Sequence, residues 1–183
     1  MTCIVGLETE NGVYIGGDSA SVAGSSLQKT KLRKVFNTGE FLIGYTSSFR
    51  MGQLLQYQLS VEKQKDIDDL KYLVTKFIPT IRTLLKDGGY TQISENREEA
   101  GFFLLGYKGK LYEVDCDFQV NCFIDGIASV GAGAKFIKGA LVAYLNEAVE
   151  ERESILSALE DTSEYNAYVE EPFIVEFQKK ERK

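Results

Sequence analysis

Two apolar runs joined by an Asn-Gly pair constrain this chain more than any other feature. Residues 2–8 (TCIVGLE) and 13–19 (VYIGGDS) are short and β-rich, with Thr9-Glu10-Asn11-Gly12 between them. Asn-Gly tolerates positive φ and suits the twist of a two-stranded hairpin. The start of the chain therefore folds back on itself, and Asp18 is expected within a residue or two of Thr2.

Downstream, residues 22–30 (VAGSSLQKT) read as a polar connection, followed by short strands at Leu32–Phe36 and Phe41–Thr46. An amphipathic stretch opens at Phe49 and runs to Leu59. Leu70, Leu73, Val74, Phe77, Ile81, Leu84 and Leu85 repeat at helical spacing, with Pro79 predicting a kink or break. Strands return at Gly101–Tyr107, Leu111–Phe118 and Val120–Ile124, the first two joined by a Lys108-Gly109 turn. Ala128–Val130 leads through Gly131-Ala132-Gly133 into a helix with Ile137, Leu141 and Leu145 on one face. A further helix at about Ser154–Ala167 and a strand at Phe173–Phe177 close the chain, with a solvated charged tail after them. This order is α+β, consistent with two sheets between helical layers in a single domain over residues 1–183.

Composition narrows the chemistry. Lys+Arg number 21 against 27 Asp+Glu, a net charge of -6 that opposes a phosphate backbone. Lys29, Lys31, Arg33 and Lys34 form the densest internal basic cluster, but no aromatic platform follows, so no nucleic-acid partner is expected. The first fifteen residues carry Glu8 and Glu10 and no basic leader, which predicts a cytoplasmic protein with no membrane partner. Cys3, Cys116 and Cys122 lack CxxC spacing, and the acidic run Glu147, Glu150, Glu151 and Glu153 reads as a solvated helix end. Gly131-Ala132-Gly133 continues to Phe136 where a dinucleotide turn needs glycine. No cofactor and no metal are expected.

The chain contains no histidine. Ser-His-Asp and Cys-His catalysis are thereby excluded, and acid–base work near neutral pH falls to a carboxylate, a lysine or the terminal amine. By position alone Thr2 is an ordinary strand residue. With Met1 removed, however, it carries a hydroxyl and a free α-amine, and that amine can serve as base for the hydroxyl. Lys34, oriented by Asp18, is the candidate cation that lowers the pKa of both groups, although an ordinary ion pair reads equally well from the residues alone. Gly16 and Gly17 fit either a bulge or a close backbone approach.

TCIVGLETENGVYIGGDSA, then LRKVF, then FLIGYTSS before a helix resembles the opening of proteasome β-subunits and of the bacterial heat-shock locus V peptidase. The resemblance covers residues 2–60 and returns at IASVGAGAKFIKGA, residues 127–140. It implies a four-layer αββα sandwich of the N-terminal-nucleophile hydrolases. It further implies Thr2 as nucleophile and base, Asp18 and Lys34 as its electrostatic partners, and the Ser47 backbone N–H as oxyanion donor. The family's paired glycines are Ser47 and Ser48 here, and the serine of its G-S-G turn is Ala132. Its later acidic position aligns with Glu164, and the serine after that with Ala167 or Asn166.

A threonine-type peptidase acting on protein or peptide is the implied activity, in a homo-oligomeric ring fed by an ATP-dependent unfoldase. A small-molecule amidase on the same fold is one rival. A silent structural or interaction subunit is the other, favoured by Ala132 and by any retention of Met1.

Overall fold

The computed structural model describes residues 2–23 and 26–181; Met1, part of the 22–30 connection and the last two residues of the tail lie outside the described residues. β1 (Cys3–Glu8) and β2 (Gly12–Gly17) pair antiparallel, with Ile4 opposite Gly17 and Glu8 opposite Val13. Asp18 follows directly and lies across from Cys3, whose carbonyl accepts its N–H at 3.3 Å. Gly16 and Gly17 stay in register with β1, so neither forms a bulge. Gly16 instead makes room for core packing rather than for the active site: a Cβ there would stand 2.4 Å from Ile155 Cγ2.

The polar connection contains structure of its own. β3 (Ala20–Ala23) and β4 (Ser26–Lys29) pair as a separate hairpin, with Val22 opposite Leu27. Its few large apolar residues hid it from periodicity. β5 (Val35–Thr38) starts later than expected, and β6 (Phe41–Tyr45) follows across a tight turn. Ser48 then caps α1 (Phe49–Gln58), its Oγ accepting the Arg50 N–H at 3.0 Å.

α2 (Asp69–Tyr72) and α3 (Ile78–Asp87) form one helical run across Pro79, joined by a wider π turn at Leu73–Phe77. The Ile78 N–H reaches back to Leu73 O, the five-residue step of that turn. The predicted kink is thus absorbed by widening just ahead of the proline ring. A small exposed hairpin of β7 (Gln92–Ser94) and β8 (Arg97–Glu99) comes next, too polar for strand periodicity to register. β9 (Phe103–Tyr107) and β10 (Lys110–Val114) meet at Lys108-Gly109, whose φ values of 51 and 75 are both positive, as a two-residue hairpin turn needs. β11 (Val120–Asn121), β12 (Ile127–Gly131), α4 (Ala134–Asn146), α5 (Glu151–Tyr165) and β13 (Ile174–Lys179) complete the chain.

Two antiparallel sheets result, ordered β12-β1-β2-β13 and β11-β10-β9-β6-β5. Their strands alternate cleanly, as a period of two requires. Ile4, Val13 and Ile15 of one sheet meet Leu42, Leu104 and Leu111 of the other in a single apolar cluster. The alternate residues Cys3, Val5 and Leu7 pack with Ile137, Leu141, Ile155 and Leu159 of α4 and α5. On the second sheet, Ile43, Tyr45, Phe103 and Leu105 pack with Leu54, Leu73, Phe77 and Ile81 of α1, the π turn and α3. Because the sheets are held face to face, the start of β1, the end of β2 and the entries to β5 and α1 gather at one end. No helix among the described residues is long and apolar enough to cross a membrane.

Candidate active site

Three polar side chains converge at that end, almost without solvent. Thr2 is 3% exposed, Asp18 1% and Lys34 2%. Asp18 is fixed by its place after β2. Its carboxylate accepts the Cys3 N–H at 2.9 Å through one oxygen, and the Ala20 N–H and Lys34 Nζ, each at 2.9 Å, through the other. Lys34 enters from the residue before β5, where its carbonyl accepts the Tyr45 N–H at 3.0 Å. From there Nζ donates to both Asp18 and Thr2 Oγ1. The hydroxyl, the ammonium and the carboxylate thus form one continuous chain.

Burial pushes the Asp18 carboxyl up, against the pull of Lys34 and of the two backbone amides. Burial likewise draws Lys34 below the ordinary lysine value, and Asp18 opposes that fall. Cys3, beside Thr2, is driven far up by burial and then by Asp18, so its thiol stays protonated and inert.

Ser47 forms the opposite wall. Its φ of 74 is left-handed, a conformation glycine takes freely and other residues rarely. The Thr46 N–H is used by Phe102 O at 3.2 Å and the Ser48 N–H by Thr46 O at 3.0 Å. Between them the Ser47 N–H donates to no protein acceptor among the described residues. Thr2, Lys34, Tyr45, Ser47 and Phe49 all border a cavity of about 360 Å³. The arrangement sets a hydroxyl, a base or cation beside it, and an uncommitted amide around one space, which suits addition to a carbonyl carbon.

The Gly131–Gly133 turn lies against the backbone of Thr2, outside that cavity. Gly131 has φ 100, and a Cβ there would stand 2.2 Å from Thr2 O, so only glycine fits this approach. Ala132 offers no hydroxyl. Instead Asn166 Nδ2, just past α5, donates to Ala132 O at 3.0 Å, while its Oδ1 accepts the Tyr168 N–H at 3.1 Å.

Glu164 corrects the sequence reading. It is exposed on the last turn of α5, and no hydrogen bond or ion pair joins it to Thr2, Asp18 or Lys34 among the described residues. Thr162 is the inward residue of that turn, 2% exposed, and two helical steps of about 100° carry Glu164 to the opposite face. Asn166 is therefore the residue that reaches the turn. Its signal was available only as an amide just after a helix end, and such residues abound. Ala167, the other alternative, is exposed. Among the described residues no group of three or more Cys, Asp or Glu comes together as metal ligands.

By sequence, no family model and no curated protein matches the chain. By structure, BPH from Thiobacillus denitrificans superposes with a TM-score of 0.80 at 15% identity, covering 99% of this chain and 100% of that one. This is the proteasome-β and HslV type of fold. HslV from Trypanosoma brucei matches with a TM-score of 0.67 at 18% identity, over 96% of this chain and 98% of that one. Anbu from Pseudomonas aeruginosa, solved as a helical assembly, gives 0.65 at 16% identity over 97% and 81%. BPH has also been solved in complex with epoxomicin. At these identities the likeness establishes the fold, and the chemistry has to be argued from the side chains of this chain.

Proposed function

We propose that the chain is a threonine-type peptidase: a single domain over residues 1–183, a four-layer αββα sandwich, cleaving peptide bonds with Thr2 after loss of Met1. The observation that carries this reading is the buried chain from Asp18 through Lys34 Nζ to Thr2 Oγ1. A structural ion pair would account for the Asp18–Lys34 contact, but it leaves unexplained why the Ser47 N–H, beside the same cavity, donates to no acceptor among the described residues.

In this reading Thr2 Oγ adds to the substrate carbonyl carbon while its proton passes to the Thr2 α-amine. Lys34, held by Asp18, favours the developing alkoxide, and the Ser47 N–H receives the carbonyl oxygen as it becomes an oxyanion. The C–N bond then breaks, the amine returns its proton to the leaving nitrogen, and an ester of Thr2 remains for water to hydrolyse. Glu164 has no part in these steps. Assembly into a homo-oligomer, with an ATP-dependent unfoldase delivering protein substrates, is part of the proposal, supported by the helical assembly of Anbu.

The test combines intact mass with labelling. The active protein is expected to begin at Thr2 and to gain the mass of one epoxomicin per chain, and Thr2→Ala to lose both labelling and hydrolysis of fluorogenic peptides. Full activity in material that retains Met1 overturns the mechanism. Absence of labelling and turnover in protein shown to begin at Thr2 favours the interaction-subunit reading.

A further inference from the structure

A second cavity, of about 600 Å³, shares only Thr46 and Ser47 with the first. In the peptidase reading, a carbonyl oxygen held at the Ser47 N–H stands where the two spaces meet. The direction of the substrate follows from the proton. Cys3 stands opposite Gly131 in the β1–β12 ladder, which sets Thr2 beside Ala132. An α-amine freed at Thr2 opens next to Ala132, and Ala132 borders the second cavity. Since that amine must protonate the departing nitrogen as the C–N bond breaks, the departing segment exits on this side.

Glu113 is the one charged residue among the described residues that border the second cavity. Leu111, two residues earlier on β10, belongs to the core between the sheets, so alternation turns Glu113 toward the same gap at its open end. The carboxylate is half-buried, and the one hydrogen bond it accepts among the described residues is a long one, from Asn121 Nδ2 at 3.5 Å. Burial, and then the like charge of Asp115, pushes it up against the opposing pull of Asn121 and Lys138. Lys138, the nearby cation, is already engaged by Asp125 at 3.0 Å and Ile127 O at 3.2 Å. Phe102 adds an exposed aromatic surface on which an alkyl stem or a guanidinium can lie.

We propose that this second cavity receives the leaving side of the substrate and that Glu113 makes it favour lysine or arginine immediately after the scissile bond. The proposal rests on the peptidase reading for the direction of the chain, but the match of Glu113 to a cation can be read separately.

Internally quenched peptides that share one acyl side and differ only in Lys, Ala or Glu after the scissile bond, with cut sites located by mass spectrometry, provide the test. The wild type is expected to prefer Lys over Ala by about threefold to fivefold in kcat/KM, the scale of a partly exposed charge pair, with Glu poorest. Glu113→Gln should bring the Lys/Ala ratio to about one, and Glu113→Lys should invert the order. An unchanged ratio in Glu113→Gln overturns the proposal. So does a change of assembly size by light scattering, which would mark Glu113 as a subunit contact. Binding of the same peptides to Thr2→Ala protein, by fluorescence anisotropy, keeps the Glu113 readout available where turnover is slow. Hydrolysis of no peptide by protein beginning at Thr2 overturns the peptidase reading and with it the direction of the chain. In that case equal binding of the Lys and Ala peptides overturns the role of Glu113 too, and a Lys preference lost in Glu113→Gln upholds it.

Discussion

The two flanks of Thr2 are built in opposite ways. On the Lys34 flank the polar atoms are buried and committed: Asp18 takes three donors, and Lys34 spans the carboxylate and the hydroxyl. On the Ala132 flank the backbone is tightly fitted by Gly131 but the side chain is a methyl group, and Asn166 Nδ2 donates to the turn at Ala132 O. Electrostatic activation is thus concentrated on one flank, while the flank nearest the terminal amine supplies shape. A buried charge must be paired wherever it occurs, whereas a turn can hold its form without a hydroxyl.

Removing Lys34 should break this asymmetry most severely. Lys34→Ala is expected to reduce peptide hydrolysis by about 10³-fold or more, since the hydroxyl loses its neighbouring cation. It also strands a buried Asp18, a type of loss worth about 3–5 kcal/mol. Chemical denaturation of Lys34→Ala beside the double variant Asp18→Asn/Lys34→Met separates the two effects. The double variant should recover most of the stability and none of the activity. Equal stability in the two proteins would show that Asp18 tolerates solitude and that the pair is not what holds this flank.

The pH profile sharpens the same contrast. The terminal amine must be unprotonated to accept the Thr2 proton, so the rate falls with falling pH, with a midpoint at or below about 8 because a cation lies close by. Lys34 must be protonated to stabilise the alkoxide, so the rate falls again with rising pH, below the ordinary lysine value because burial lowers Lys34. Asp18 raises Lys34, so Asp18→Asn should move the alkaline limb to lower pH in steady-state kcat/KM measurements. An alkaline limb that stays in place detaches Lys34 from the chemical step.

On the other flank the expected effects are smaller. Ala132→Ser adds one oxygen beside the terminal amine and should raise Thr2-dependent hydrolysis by at least about severalfold, the lower end of what a positioned proton carrier contributes. No change in an enzyme that is already fast would mean that another group or a water serves the amine. Asn166→Ala removes the side-chain hydrogen bond on Ala132 O and should cost about 0.5–1.5 kcal/mol in thermal or denaturant unfolding. A drop in kcat with unchanged stability would instead assign Asn166 to the reaction.

Local signals carried the fold a long way. Asn11-Gly12, the apolar alternation of the strands and the three-and-four spacing of Leu73, Phe77 and Ile81 each act through neighbours in sequence. They foresaw the first hairpin, the helices and most of the strands of the two main sheets. They missed the β3–β4 and β7–β8 hairpins, which carry little apolar periodicity, and the π turn that accommodates Pro79. Thr2 and Asp18 were legible together because one short hairpin joins them, and the absence of histidine narrowed the choice of base. Lys34 needed only the next strand pair to reach them.

Local pattern and composition alone set the hairpin that carries Thr2 to Asp18, the alternation that gives each sheet two apolar faces, and a chemistry without imidazole. Packing in three dimensions decided that Asn166 reaches the Gly131–Gly133 turn while Glu164 faces outward. It also decided that Ser47 borders the same cavity as Thr2 and that Glu113 borders a second one. The first group depends on periodicity and on contacts a few residues apart. The second joins residues separated by tens of positions or more, and their meeting is set by how the helices and sheets pack, which no local pattern encodes.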